Sequence, residues 1–319
     1  MTHATKSTLA ALALTAAISL PASAQFNVTP DPALAPLIYE DLHNFARAFE
    51  LLSGAGDSIA VLQAEYFGKA TPGLIAFVED YELTPERLLS AIREHPAEYA
   101  AVKDKIAVLK EEETLYRGAY ADLAVIVPNP LFPPTYFLVG SYRGIGSGSR
   151  AGTLITIEKR SFESLRGHIT SLLVHEMSHM QQAMAMGIEQ YQAIYGPEGS
   201  LLAFTIREGV AEYMADRVTG RMTQQEARPF VEQHERELWQ RFEPEMHGSE
   251  TGDWMWSQPA DPEQPRHVAY VLGARIVSVY YENARDKDQA IHDILAVTDY
   301  PAFLERSGYP GWEHGEAGR

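Results

Sequence analysis

Cysteine is absent from all 319 residues. That excludes disulfides, thiolate metal sites, iron–sulfur clusters, a cysteine nucleophile and a lipid-modified cysteine. Basic residues are scarce. Lys and Arg number 26 against 43 Asp and Glu, a formal charge of −17. So acidic a chain repels phosphate backbones and anionic lipid, and neither nucleic acid nor a membrane surface is an expected partner. Long apolar runs are missing too. Leu9 to Leu20 is only 12 residues, whereas a spanning helix needs about 20.

That short run has a telling context. Lys6 precedes it, Pro21 ends it, and Ala22-Ser23-Ala24 sets small residues before Gln25. A charged start, an apolar middle and a small-residue end are the parts of a secretory signal peptide of bacterial type. Residues 1–24 are expected to be cleaved after Ala24. The mature chain is then periplasmic or extracellular, with no membrane insertion.

The rest has globular composition, with 45% hydrophobic and 22% charged residues, and therefore enough apolar surface to fold. Residues 25–36 are rich in proline and read as an extended lead-in. From Leu37 to about Leu123 the periodicity is helical: Leu37, Leu42, Phe45, Phe49 and Leu52 recur near every third or fourth residue. Thr84-Pro85-Glu86 is a helix start, and Lys103 to Tyr120 reads as one amphipathic helix. Glu111-Glu112-Glu113 reads as a solvated face. The texture changes near Leu123. Ala124–Val127, Tyr136–Val139 and Leu154–Ile157 are strand candidates. Glycines 144, 146, 148 and 152 mark a flexible loop or hairpin; the run lacks the G-K-[ST] ending of a phosphate loop. Helices are expected over 161–186, 199–219, 222–243, 265–284 and 287–296. The expected division is 1–24 signal peptide, 25–122 helical region and 123–319 core. The fold class is α+β, predominantly helical, with a short antiparallel or mixed sheet.

The chemistry is concentrated at His175-Glu176-Met177-Ser178-His179. On a helix, residues i and i+4 share a face, so both imidazoles can reach one Zn²⁺. Glu176, beside the first histidine, can reach a water there without being a ligand. Leu172, Leu173, Val174 and Met177 mark the helix as buried, and buried histidines and glutamate are costly without partners. A third ligand follows. Glu208, 29 residues after His179, stands in Arg207-Glu208-Gly209-Val210-Ala211-Glu212-Tyr213 on a second helix. Gly209 lets that helix pack closely on the first. Glu212, one turn on, can accept the other ring N–H of His175 and fix its tautomer.

H-E-x-x-H followed by E-G-x-A-x-Y resembles the gluzincins, the zinc metallopeptidases that include thermolysin and the zinc aminopeptidases. The chain is most similar to zinc-dependent proteases that bacteria secrete. The resemblance runs from Leu154 to Tyr213 and more faintly to the helix near Tyr270. It implies a zincin-like core, with His175, His179 and Glu208 as ligands of Zn²⁺ and Glu176 as catalytic base. It implies Glu212 as the carboxylate behind the ligands, and Leu154–Ile157 as an edge strand binding an extended peptide or protein substrate. Tyr270, in a Y-x-x-G with Gly273, is the first choice for a donor to the oxyanion, with His267 second and Tyr280 third. Two departures narrow the reading. Arg207 stands where the aminopeptidases have Asn, and no G-A-M-E-N signature is present, so specificity for a free N-terminus is not implied. No third histidine follows His179 in the metzincin pattern, where Gln182 precedes Ala185 and Met186. His168, two turns from the site, reads as packing. Trp254 and Trp256 sit in a Gly-, Pro- and Asp-rich loop and can shape a cleft or cover the core. The rival reading is a non-catalytic exported peptide- or metal-binding protein with a structural zinc site.

Overall fold

In the computed structural model, which describes residues 28–196 and 199–310, a two-residue strand leads into a run of helices. The expected signal peptide lies outside the described residues. β1 (Leu37–Ile38) is followed by α1 (Glu40–Leu52), α2 (Ser58–Glu65), α3 (Pro72–Tyr81), α4 (Pro85–Glu94), α5 (Pro96–Ala100), α6 (Val102–Glu111) and α7 (Glu113–Ile126). Threonine caps and prolines set several of these starts. Thr84 Oγ1 accepts from Arg87 N at 3.3 Å ahead of Pro85, and Thr71 does the same for Leu74 ahead of Pro72. Proline costs nothing there, because the first helical N–H has no partner within the helix. The single helix expected over 103–120 is two, α6 and α7, meeting at Glu112.

Ala124–Val127 is not a strand. α7 runs through Ile126, and Tyr116, Ala119, Tyr120, Leu123 and Val127 are buried at helical spacing. Val125 is 86% exposed. The β-branched run therefore continues the apolar face of a helix, and periodicity overrides local strand preference.

The sheet holds β1, β2 (Thr135–Leu138), β3 (Gly146–Ser149) and β4 (Gly152–Thr156) in the order β1-β2-β4-β3. β1–β2 and β2–β4 are parallel, and β3–β4 is an antiparallel hairpin. Two expectations change. Leu154–Ile157 is not an edge: β4 is internal and buried along its length. The edge strands are β1 and β3, and β3, beside β4, is drawn from the glycine run expected to be loop. Alternating Gly and Ser give little strand signal, but pairing to β4 supplies the order that local preference does not.

The second half is helical: α8 (Phe162–Gly167), α9 (Ile169–Met186), α10 (Ile188–Ala193), α11 (Leu201–Thr219), α12 (Arg228–Phe242), α13 (Val268–Asn283), α14 (Lys287–Leu295) and α15 (Tyr300–Ser307). His168 separates α8 from α9. α9 packs against β3 and β4, and α11 packs against both α9 and α13. One apolar core runs from α1 through the sheet to α13. The protein is thus mostly helical with a small mixed sheet. No described helix is long and apolar enough to cross a membrane.

Candidate metal centre

α9 is covered by the sheet on one side and by α11 on another, so the middle of the helix is buried. His175, Glu176 and His179 sit there, at 4%, 5% and 6% exposure. Glu208 comes from the middle of α11. The chain brings their donor atoms to one point. His175 Nε2 and His179 Nε2 are 3.2 Å apart, and Glu208 Oε2 lies 3.3 Å from the first and 3.2 Å from the second. A tetrahedral ion ~2.0–2.1 Å from each of three donors would hold them ~3.3–3.4 Å apart. The triangle fits a metal ion, and these residues could hold one.

The other ring nitrogens explain why the triangle faces inward. Glu212 Oε1 lies 3.1 Å from His175 Nδ1. Gln182 Oε1 lies 2.8 Å from His179 Nδ1, and Gln182 Nε2 donates to the Arg207 carbonyl at 3.2 Å. With Nδ1 of each ring beside an acceptor, the proton belongs on Nδ1 and the Nε2 lone pairs are left for a cation. Glu212 is itself fully buried, held by Thr223 N at 2.8 Å and by the Thr223 hydroxyl. Sequence reasoning singled out Glu212 and passed over Gln182, whose only signal was its place three residues after His179.

Electrostatics follow from this crowding. Burial disfavours a charged His175, but Glu208 and Glu212 outweigh it and lift its pKa well above the usual value. Burial also opposes ionisation of Glu208, but His179 and His175 hold it ionised to far below the carboxylate range. Glu176 goes the other way. Burial raises its pKa, and the two histidines only partly offset this. Glu176 is thus a proton acceptor with raised basicity beside the donor triangle.

The glycine strand sits directly on this helix. A Cβ on Gly146 would lie 2.5 Å from Glu176 Oε1, and one on Gly148 would lie 3.2 Å from Met180 Sδ. The two glycines on one face of β3 are what allow the sheet edge to reach α9. The other predicted close approach is displaced. A Cβ on Gly209 would fall 2.1 Å from the Gly273 carbonyl carbon, so Gly209 brings α11 against α13 and not against α9.

No family model matches the chain, and no curated protein or solved structure matches it either.

An open cleft of about 1500 Å³ exposes the centre and includes β3, Trp256, His267 and Tyr270 in its walls. That is larger than the ~300–1,000 Å³ usual for small-molecule sites. The Tyr270 ring lies nearly parallel to His175, with centroids 6.2 Å apart. Trp256 Nε1 donates to its hydroxyl at 3.0 Å. Burial, reinforced by Glu208, raises the Tyr270 pKa well above 10, so its own proton stays available for donation. His267 caps α13 with φ of 63° and packs edge-on to Tyr270. Tyr280 is elsewhere, donating to Asp293 at 2.7 Å. The two tryptophans divide: Trp254 is core, with Nε1 donating to Glu245, whereas Trp256 is 43% exposed and lines the cleft.

Proposed function

We propose that this protein is an exported zinc-dependent metallohydrolase with a zincin-like core, hydrolysing peptide bonds. The observation that carries the reading is the triangle of His175, His179 and Glu208 donors, with a basic Glu176 beside it, opening onto a large cleft. Three protein donors in an open site suit catalysis, whereas structural zinc sites are closed by four. Two imidazoles and a carboxylate suit zinc.

His175, His179 and Glu208 would hold the ion, which supplies a Lewis acid that polarises a carbonyl and acidifies water. Glu176 takes the proton of the attacking water and passes it to the leaving amine, and its raised pKa suits both transfers. Tyr270 keeps its proton and donates to the oxygen that gains charge as the carbonyl is attacked. The hydroxyl accepts from Trp256, which fixes the lone pair and turns the O–H elsewhere. β3, unpaired on its outer side and lining the cleft, offers main-chain N–H and C=O groups to an extended peptide.

The test is zinc content and peptide hydrolysis by the chain lacking residues 1–24. One zinc per chain is expected, lost in Glu208→Ala. Glu176→Gln should keep the zinc and lose about 10²–10⁴-fold in turnover. Wild-type turnover in Glu176→Gln refutes the mechanism. A zinc-loaded wild type that cleaves nothing in a complex peptide mixture refutes the hydrolase reading in favour of a binding protein.

A further inference from the structure

The chain is strongly acidic, yet its cleft is not. Six cationic side chains line it: Arg143, Arg150, Lys159, Arg160, Arg221 and Arg266. Four carboxylates line it as well, and two of these, Glu176 and Glu208, belong to the centre. Outside the centre only Asp80 and Glu226 oppose the six cations, in a chain where acids outnumber bases 43 to 26.

Most of this charge is uncommitted. Among the described residues, Arg150 alone of the six has an ion-pair partner, Glu79. Arg143 lies over the Tyr81 ring and Lys159 over the Tyr142 ring, each 5.6 Å from the centroid, contacts that position a cation without neutralising it. Arg266 donates to the Trp256 carbonyl. Arg160 spends one donor, Nε, on the Thr156 carbonyl at 2.9 Å, and its charge acts first on the buried Glu158 and then on Glu176, so it is the least available of the six. The cations surround the cleft, from the β3 hairpin and the segment after β4 to the loops before α12 and α13. A divalent ion in the centre would cancel Glu176 and Glu208 and leave the cleft more positive still.

We propose that the cleft selects acidic peptide segments, with Asp or Glu side chains flanking the bond presented to the centre. The inference rests on the peptide-hydrolase reading for its ligand class, and on the six cations for the sign of its charge. The low-dielectric walls of a cleft concentrate its field, while acids on the outer surface are screened beyond about 8 Å at physiological salt. An extended peptide laid along β3 passes Arg143 and Arg150 at its two ends. Carboxylates fit this setting better than phosphates, because the −17 charge of the whole chain opposes a polyanion that extends past the cleft.

The test measures binding apart from turnover. Zinc-reconstituted Glu176→Gln protein is titrated with labelled, end-blocked peptides of equal length that differ only in carrying Glu, Gln or Lys around a common centre. The Glu peptide should bind about tenfold tighter than the Gln peptide, with the preference falling at high salt. The Arg143→Gln/Lys159→Gln/Arg221→Gln variant, with zinc content and circular dichroism unchanged, should lose most of the preference. Equal or tighter binding of the Gln or Lys peptide overturns the proposal, as does a preference untouched by the triple variant. So does a single-stranded DNA oligonucleotide that competes as well as the Glu peptide. If the Glu peptide binds selectively and the wild type hydrolyses none of the three or any peptide mixture, the hydrolase reading fails and the charge selectivity stands.

Discussion

Two regions of this molecule bury polar atoms in opposite ways. In the N-terminal layer four buried tyrosine hydroxyls are each matched to a partner residue. Tyr66 donates to the Val139 carbonyl at 2.7 Å, Tyr99 to Gly140 at 2.8 Å and Tyr116 to Leu165 at 3.3 Å, while Tyr120 pairs with Thr135. These bonds tie the helices to the sheet, to the residues just after β2 and to α8. Between α9 and α11, three acceptor atoms instead meet within 3.3 Å of one another. Each ring has an acceptor beside its Nδ1, while the two Nε2 atoms face each other and Glu208. One-to-one pairing builds a scaffold; several acceptors converging on one point could hold a cation.

The largest effect that would test this contrast is expected where main chains touch. A Cβ on Gly273 would lie 1.9 Å from the Thr205 carbonyl oxygen. Gly273→Ala should cost about 3 kcal/mol or more in urea denaturation, because neither helix backbone can yield. A loss below about 1 kcal/mol would show that the α11–α13 contact is slack. Next comes Gln182→Leu, which leaves His179 Nδ1 without its acceptor. Zinc affinity, read by competition with a chromophoric chelator, should fall about 10–100-fold. The stability of the metal-free chain should change far less.

Tyr66→Phe is the matching change in the scaffold. It strips both the N–H and the carbonyl of Val139 of their buried partner. The expected cost is about 1–2 kcal/mol of stability with zinc affinity untouched. Any loss of zinc binding in this variant would break the division between the two regions. A change of similar size is expected as a pH dependence. Asp41 accepts from Thr71 N at 3.0 Å, and burial pushes its pKa up to about 6 despite the bonds from Thr71. The folded state then holds a proton that the unfolded chain releases near pH 4. The stabilisation is complete below that pH and is lost as pH rises through about 6. Asp41→Asn cannot titrate, so its stability relative to wild type should improve by about 2 kcal/mol between pH 4 and pH 7. A flat difference would mean that Asp41 is ionised in the fold.

How far the sequence could be read depended on the range of the signal. His175, Glu176 and His179 were legible because they repeat at the pitch of one helix. Glu208 and Glu212 were legible because they repeat on another. Gln182 was not, because a glutamine three residues from a histidine is ordinary until the ring's orientation is known. Trp256 was left open, since a loop residue reaches Tyr270 only after folding. The strand order followed the same rule. Tyr136–Val139 and Leu154–Ile157 were recognisable as strands, whereas the edge position beside β4 went to β3, whose glycines carry meaning only against Glu176 and Met180. α7 shows the reverse error, with a local β-branched run outvoted by the helical face it completes.

The contact between Gly209 and Gly273 also bears on how such a site could change over time. It sets the separation of Glu208 and Tyr270 through main-chain atoms, which every substitution elsewhere leaves in place. Residues around the mouth of the cleft are then free to vary in size and charge while Glu208 and Tyr270 keep their spacing. In this architecture, the lining of the cleft and the spacing of the groups at its floor are inherited separately.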